Sequence, residues 1–285
     1  LTIDVRGSGD SLWWERPISS GTYRVTKTGA GTLDMRIVTA VVVNNNLGLT
    51  ISGGTVMVKD ERNLGVNAGS FTADLLKLDG GKLLTSDSFT MDDSNRGITL
   101  GAGGGTFEVN GATLTIGSAN VITGAGALTK AGTGTLTLSA ANTYTGGTTV
   151  GAGTLTLNAG SETRFAIRNG NAANRITGGG AVSLNGIFRL DRGSLTDTNG
   201  TWNLVNVGAL AASWGGTFGL KFTDGTTFAD QGGGVYTSGN WTFRQADGNL
   251  VLGGGASVPR PTISVVLKGG SLELRVDTVT WATYV

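Results

Sequence analysis

The chain has 285 residues, including 50 Gly, 3 Pro, no Cys and no His, and its 21 Lys plus Arg against 20 Asp plus Glu give a formal net charge of +1. Without imidazole or thiolate there is no Ser-His-Asp or Cys-protease chemistry, no His-ligated haem and no ordinary structural zinc site, so an enzyme would have only carboxylates to work with. Charged residues are 14% of the chain, under the ~25% of an ordinary soluble domain, and no basic cluster is dense enough to predict a nucleic-acid partner.

Glycine follows no three-residue period, which excludes collagen, and β-branched residues are too abundant for a disordered Gly/Pro chain. The longest apolar run, near Ala40–Val43, is far short of the ~20 residues of a membrane-spanning helix. The sequence opens on Leu1 rather than Met, which fits removal of an export signal.

Two-residue alternation recurs from the start: Leu1-Ile3-Val5, then Leu136-Leu138, Leu155-Leu157 and Leu272-Leu274-Val276. Gly-Ala-Gly, Gly-Gly-Gly, Asn-Gly and Asp-Gly clusters separate the runs, so the spacing predicts short strands joined by sharp turns in an all-β chain. Trp13 and Trp14, close to this first alternating run, are candidates for stacking on a sugar ring, against the plainer role of an aromatic cap on the first rung.

Internal repeats come next. Thr26-Lys27-Thr28-Gly29-Ala30-Gly31-Thr32-Leu33 matches Thr129-Lys130-Ala131-Gly132-Thr133-Gly134-Thr135-Leu136, and residues 50–58 match residues 149–157, at offsets of 103 and 99. Gly-Thr followed by an apolar residue recurs at Leu33, Val56, Phe107, Leu136 and Leu155. About 20 residues per coil suits a parallel β-helix (β-solenoid), and about fourteen such rungs would make a rod of roughly 65 Å.

The runs Gly97-Ile98-Thr99-Leu100 through Phe107, Gly124 through Ser139, Ala141-Asn142-Thr143-Tyr144-Thr145-Gly146-Gly147-Thr148-Thr149-Val150 and Gly153-Thr154-Leu155 closely resemble the autotransporter-associated β-strand repeat. The resemblance covers about 97–157 well and 22–58 more loosely. It implies a right-handed parallel β-helix on an exported bacterial surface protein, extracellular or on the cell surface. It implies no catalytic residue and no cofactor, and it makes Asn142, Thr143, Tyr144, Gly146 and Gly147 turn and stacking positions.

Three stretches follow: a repeat-bearing solenoid over 1–157, a broader solenoid end or small β-sandwich-like domain over 158–257, and a Pro linker with terminal strands over 258–285. Trp202, Trp214, Trp241 and Trp281 all lie past residue 200, and a thin rung does not hold an indole without widening. No membrane barrel follows within the sequence, which leaves open whether one is cleaved away or absent.

For chemistry, Asp92 and Asp93 with Arg96 are the best acid and base candidates for a polysaccharide-cleaving β-helix, or with Asn95 a calcium site; a solvated turn is the plainer reading. Residues 101–105 lack the Lys-Ser/Thr of a phosphate loop. We therefore expect no enzyme, no catalytic, cofactor or metal residues, and no cofactor. No capping helix is visible at either end, so the strands of Leu1, Ile3 and Val5, and those of Ile263, Val265, Leu267, Leu272, Leu274 and Val276, are expected to join copies of the chain head to tail into a fibre. The alternative is an adhesin or carbohydrate-binding passenger whose glycan contacts are Trp13 and Trp14.

Overall fold

Alternation of Leu, Ile and Val with Thr sends apolar side chains to one face of each strand and hydroxyls to the other, and the chain coils so that the apolar faces meet. The computed structural model of the protein describes residues 1–14, 24–36, 48–65, 68–210 and 213–253, and the backbone of the strands Ile263–Lys268 and Ser271–Val276. Among these residues there is no α-helix, only the short 3-10 turn Glu61–Leu64.

Four parallel ladders form the solenoid. Face A stacks Thr2–Asp4, Val25–Thr28, Leu49–Ile51, Thr72–Leu78, Arg96–Leu100 and Ile122–Gly124. Face B runs through nine strands, from Ser11–Trp13 to Val205–Val207. Face C stacks Phe89–Met91, Thr113–Ile116, Thr135–Leu138, Thr154–Leu157 and Ala181–Leu184. Where face A ends, face D takes over with Ala141–Asn142, Glu162–Arg168, Ile187–Asp191 and Gly219–Phe222. The ladders run past Leu157 without interruption, since Thr154–Leu157 pairs in register with Ala181–Leu184.

Against the fourteen rungs expected, the longest ladder among the described residues, face B, holds nine strands. Successive register partners on face B lie 20 residues apart at Thr129 and Thr149, but 29 apart at Thr177 and Asn206. Eight steps between nine strands give a rod of about 38 Å. Inside, columns such as Leu114, Leu136, Leu155 and Val182 stack in register; each fully buried Leu contributes roughly 1.5–3 kcal/mol.

The 103- and 99-residue repeats are repeats of a corner. Residues 26–33 turn from face A to face B, whereas residues 129–136 turn from face B to face C. In both copies the next rung sits on the corner in the same way: Thr55 N donates to Gly31 O at 3.1 Å and Thr154 N to Gly134 O at 3.0 Å. Gly54 (φ 60°) and Gly153 (φ 64°) hold equivalent left-handed positions. A Cβ on either would lie 2.2–2.3 Å from the carbonyl oxygen of Gly134 or Gly31 below it, so only glycine fits.

Past residue 200 the hydrogen bonding changes to antiparallel. Gly200–Asn203, Asn249–Leu252, Trp241–Arg244, Val235–Ser238 and Ala229–Asp230 form a five-stranded sheet in that spatial order. Its Trp241, Phe243 and Tyr236 pack on Phe188, Phe218 and Phe222 of the last rungs, and Trp202 lies against Trp241. The expectation of two uncapped ends is therefore corrected at this end: a sheet rather than a helix covers it, because wide aromatics fill the mouth of the last rung. The linker at 258–261 lies outside the described residues.

Candidate functional site

At the first rung, Ile3 and Val5 point inward and are buried, while Leu1 and Trp13 are 56% and 60% exposed. Trp13 aligns with Asp34 on the outer side of face B, whereas Trp14 packs against the core, so the two indoles do not share one platform. The other predicted joint strands pair with each other as a hairpin, which sets Ile263 opposite Val276, Val265 opposite Leu274 and Leu267 opposite Leu272.

Asp92 is exposed and Asp93 buried, so the adjacent acids diverge. Arg96, 1% exposed, donates to Glu61 Oε1 (3.1 Å), Leu64 O (3.1 Å), Gly65 O (2.9 Å) and Asp93 Oδ2 (3.3 Å). Glu61 in turn accepts from the backbone N–H groups of Asp92 and Asp93, and burial pushes its carboxyl up despite Arg96 and those N–H groups. The cluster thus stitches the turn Glu61–Leu64 to the open edge of face C. A cleft of about 330 Å³ lies beside it, lined in part by Asp60, Arg62, Phe89 and Thr90. Among the described residues no three carboxylates gather in a metal-holding group.

The Gly-rich run 101–105 is a corner whose Gly103 N–H is taken by Asp79 Oδ1 at 2.9 Å. That N–H, followed by Lys77, holds the Asp79 carboxyl below its usual range.

The residues that sequence reasoning missed are the two repeat lysines. Lys27 lies in the inward column between Ile3 and Ile51, and Lys130 between Phe107 and Val150; neither is exposed. Lys27 Nζ donates to Thr28 O (2.5 Å), Gly29 O (2.9 Å) and Gly53 O (3.2 Å), and Lys130 Nζ to Ala131 O (2.7 Å), Gly132 O (2.9 Å) and Ala152 O (3.3 Å). Each ammonium ties its own corner to the rung above, and burial lowers its pKa. The available signal was alternation: a Lys two residues after an inward Val25 or Leu128 must also point inward.

Asn142 and Tyr144 are buried as well. Asn142 Oδ1 accepts from Ile122 N at 3.0 Å, replacing a strand partner. The Tyr144 hydroxyl bonds Thr148 Oγ1 at 2.7 Å, and burial raises its pKa to about 12.

Charge concentrates on the outer side of face D. Asp191 binds Arg164 (2.5 Å) and Arg168 (3.1 Å), and Glu162 binds Arg189 (3.2 Å) and Lys221. Although burial opposes it, the Arg164 bond, the Gly193 N–H and Arg168 bring Asp191 down to about 2. Burial likewise opposes ionisation of Glu162, but Lys221 and Arg189 prevail and lower it.

Comparison with known proteins agrees with this architecture. Residues 128–157, from the Lys130 corner to the end of the next face C strand, match the Passenger-associated-transport-repeat model. The chain is 39% identical over 157 residues to the Adhesin BmaC autotransporter of Brucella suis biovar 1 (strain 1330). That match covers 53% of this chain and 4% of the much longer relative. No solved structure matches the chain. With its parallel ladders, its matched repeat and the stretch shared with an autotransporter, the chain is similar to autotransporter passenger β-helices that carry this repeat.

Proposed function

We propose that the protein is a non-enzymatic, adhesin-like segment of a passenger exported to the bacterial surface, where the solenoid acts as a rigid stalk presenting its outer faces. The observation that carries the reading is the identity to an autotransporter adhesin over 157 residues. Chemistry supports it, because the two acids weighed for catalysis diverge: Asp93 joins Glu61 in holding Arg96, while Asp92 stands apart in solvent. Display of the chain on a non-adherent bacterium tests it. Attachment to epithelial monolayers should rise and be competed away by soluble chain, whereas unchanged attachment would remove the reading.

A second reading, head-to-tail assembly of copies into a surface fibre, draws on the exposed Leu1, Leu12 and Trp13 beside the edge strands Thr2–Asp4 and Ser11–Trp13. With the antiparallel sheet over the far rungs, the joints proposed are the first rung and the paired strands Ile263–Lys268 and Ser271–Val276. Sedimentation at rising concentration distinguishes a polymer from a monomer. Glycan contact through Trp13 belongs to the adhesin reading, and Trp13→Ala should weaken glycan binding while Trp14→Ala should act through folding.

A further inference from the structure

We propose that the outer side of face D is a binding site for a sulfated polysaccharide laid along the solenoid axis; this names a ligand class for the adhesin-like reading and rests on it for its biological setting. Arg164, Arg189 and Lys221 are register partners on three consecutive rungs, so three cations stand in one column at ~4.8 Å spacing. Like charges directly opposite one another destabilise a sheet, and such a column persists only where something neutralises it. The protein supplies two carboxylates for the column and its neighbour Arg168: Glu162 is shared by Arg189 and Lys221, and Asp191 by Arg164 and Arg168. Four cations against two carboxylates leave an excess of two positive charges, more than the +1 of the whole chain.

The cations remain reachable, with side chains 34% (Arg164), 40% (Arg189), 26% (Lys221) and 38% (Arg168) exposed. The missing counter-charge is thus anionic, repeats along the axis and fits a rung-by-rung spacing, as an extended glycan with an anionic group on successive sugars does. Arginine predominates in the column, and its planar fork suits the several oxygens of a sulfate ester. Single-stranded nucleic acid fits less well, because the rings beside the column, Phe165, Phe188 and Phe222, are buried and offer bases no stacking surface.

Heparin is the probe, titrated into the full chain by calorimetry at several salt concentrations, with neutral dextran and an oligothymidylate as comparisons. Heparin should bind, with log K falling against log salt at a slope of about −2 to −3.6, as expected for three or four contacts at ~0.7–0.9 each. Arg189→Gln with Lys221→Gln should weaken binding about fivefold per cation removed. Glu162→Gln removes a competing carboxylate and should tighten binding about threefold, a gain that misfolding does not produce. Absence of heparin binding at low salt, equal affinity in all three proteins, or equal binding of dextran or oligothymidylate would overturn the site. If cells displaying the chain still attach in excess heparin, the adhesin-like reading survives while this site fails.

Discussion

The matched repeat region and the end that follows it solve the same stacking problem with different materials. Residues 97–157 contain two charged residues, Glu108 and Lys130, and two aromatics, Phe107 and Tyr144; residues 158–253 contain thirteen and ten. In the first region each rung sits on a copy of itself, so backbone hydrogen bonds, short apolar columns and glycine corners suffice. Terminating the stack removes that copy. The end region then needs antiparallel pairing and bulky rings to close the core, and it carries the ionic network on its outside. The lesson is that a repeat makes rungs interchangeable, whereas its end is a particular structure that one substitution can damage deeply.

The largest expected effect lies in the end region. Trp202 is fully buried, and its indole N–H donates to Arg168 O at 2.7 Å. Trp202→Ala should cost about 3–5 kcal/mol in denaturant unfolding, and a much smaller loss would mean that the cap is not part of the core. In the repeat region Gly54→Ala and Gly153→Ala should each cost about 2 kcal/mol or more, because a left-handed residue also meets two carbonyls. Gly160→Ala has φ 79° but open space, so only the conformational cost of about 1 kcal/mol applies. Unequal losses for Gly54 and Gly153 would break the equivalence of the two corners.

Lys27→Met and Lys130→Met come next, at about 1–3 kcal/mol each for stranding three carbonyls, read by thermal or urea unfolding. The smallest effects are on pH dependence, and they have opposite sense in the two regions. Tyr144 is raised from 10.0 to about 12, so the folded state keeps a proton that the unfolded chain loses, and stability falls as pH climbs through that window. Tyr144→Phe should flatten the alkaline slope. Asp191 is lowered from 3.8 to about 2, so its stabilisation is complete above 3.8 and lost as pH falls towards 2. Asp191→Asn should remove that part of the acid transition and leave the alkaline limb unchanged.

Much of the rod was legible because alternation and corner glycines are local signals. The Thr-Leu-Thr-Leu of residues 135–138 fixes which side chains enter the core whatever lies above or below. The rung count was not legible, because loops such as the one before Thr177 lengthen the step without disturbing the pattern. That the repeat copies lie on different faces was also hidden, since an offset in sequence carries no angle. Lys27 and Lys130 stand in the sequence only as letters of the repeat, and their role requires knowing that the corner carbonyls of two rungs converge inside. The Glu61 and Arg96 pair, 35 residues apart, is likewise a product of coiling that no local spacing announces.

Residue-resolved amide hydrogen exchange tests most directly the central claim that one corner is used twice on a single parallel stack. The Thr55 and Thr154 amides, each donating to the carbonyl of a glycine in the rung below, should exchange with matching protection, and Lys27→Met or Lys130→Met should loosen only its own copy. Protection at Thr154 with none at Thr55, or protection arranged in antiparallel hairpins across residues 97–157, would contradict the account.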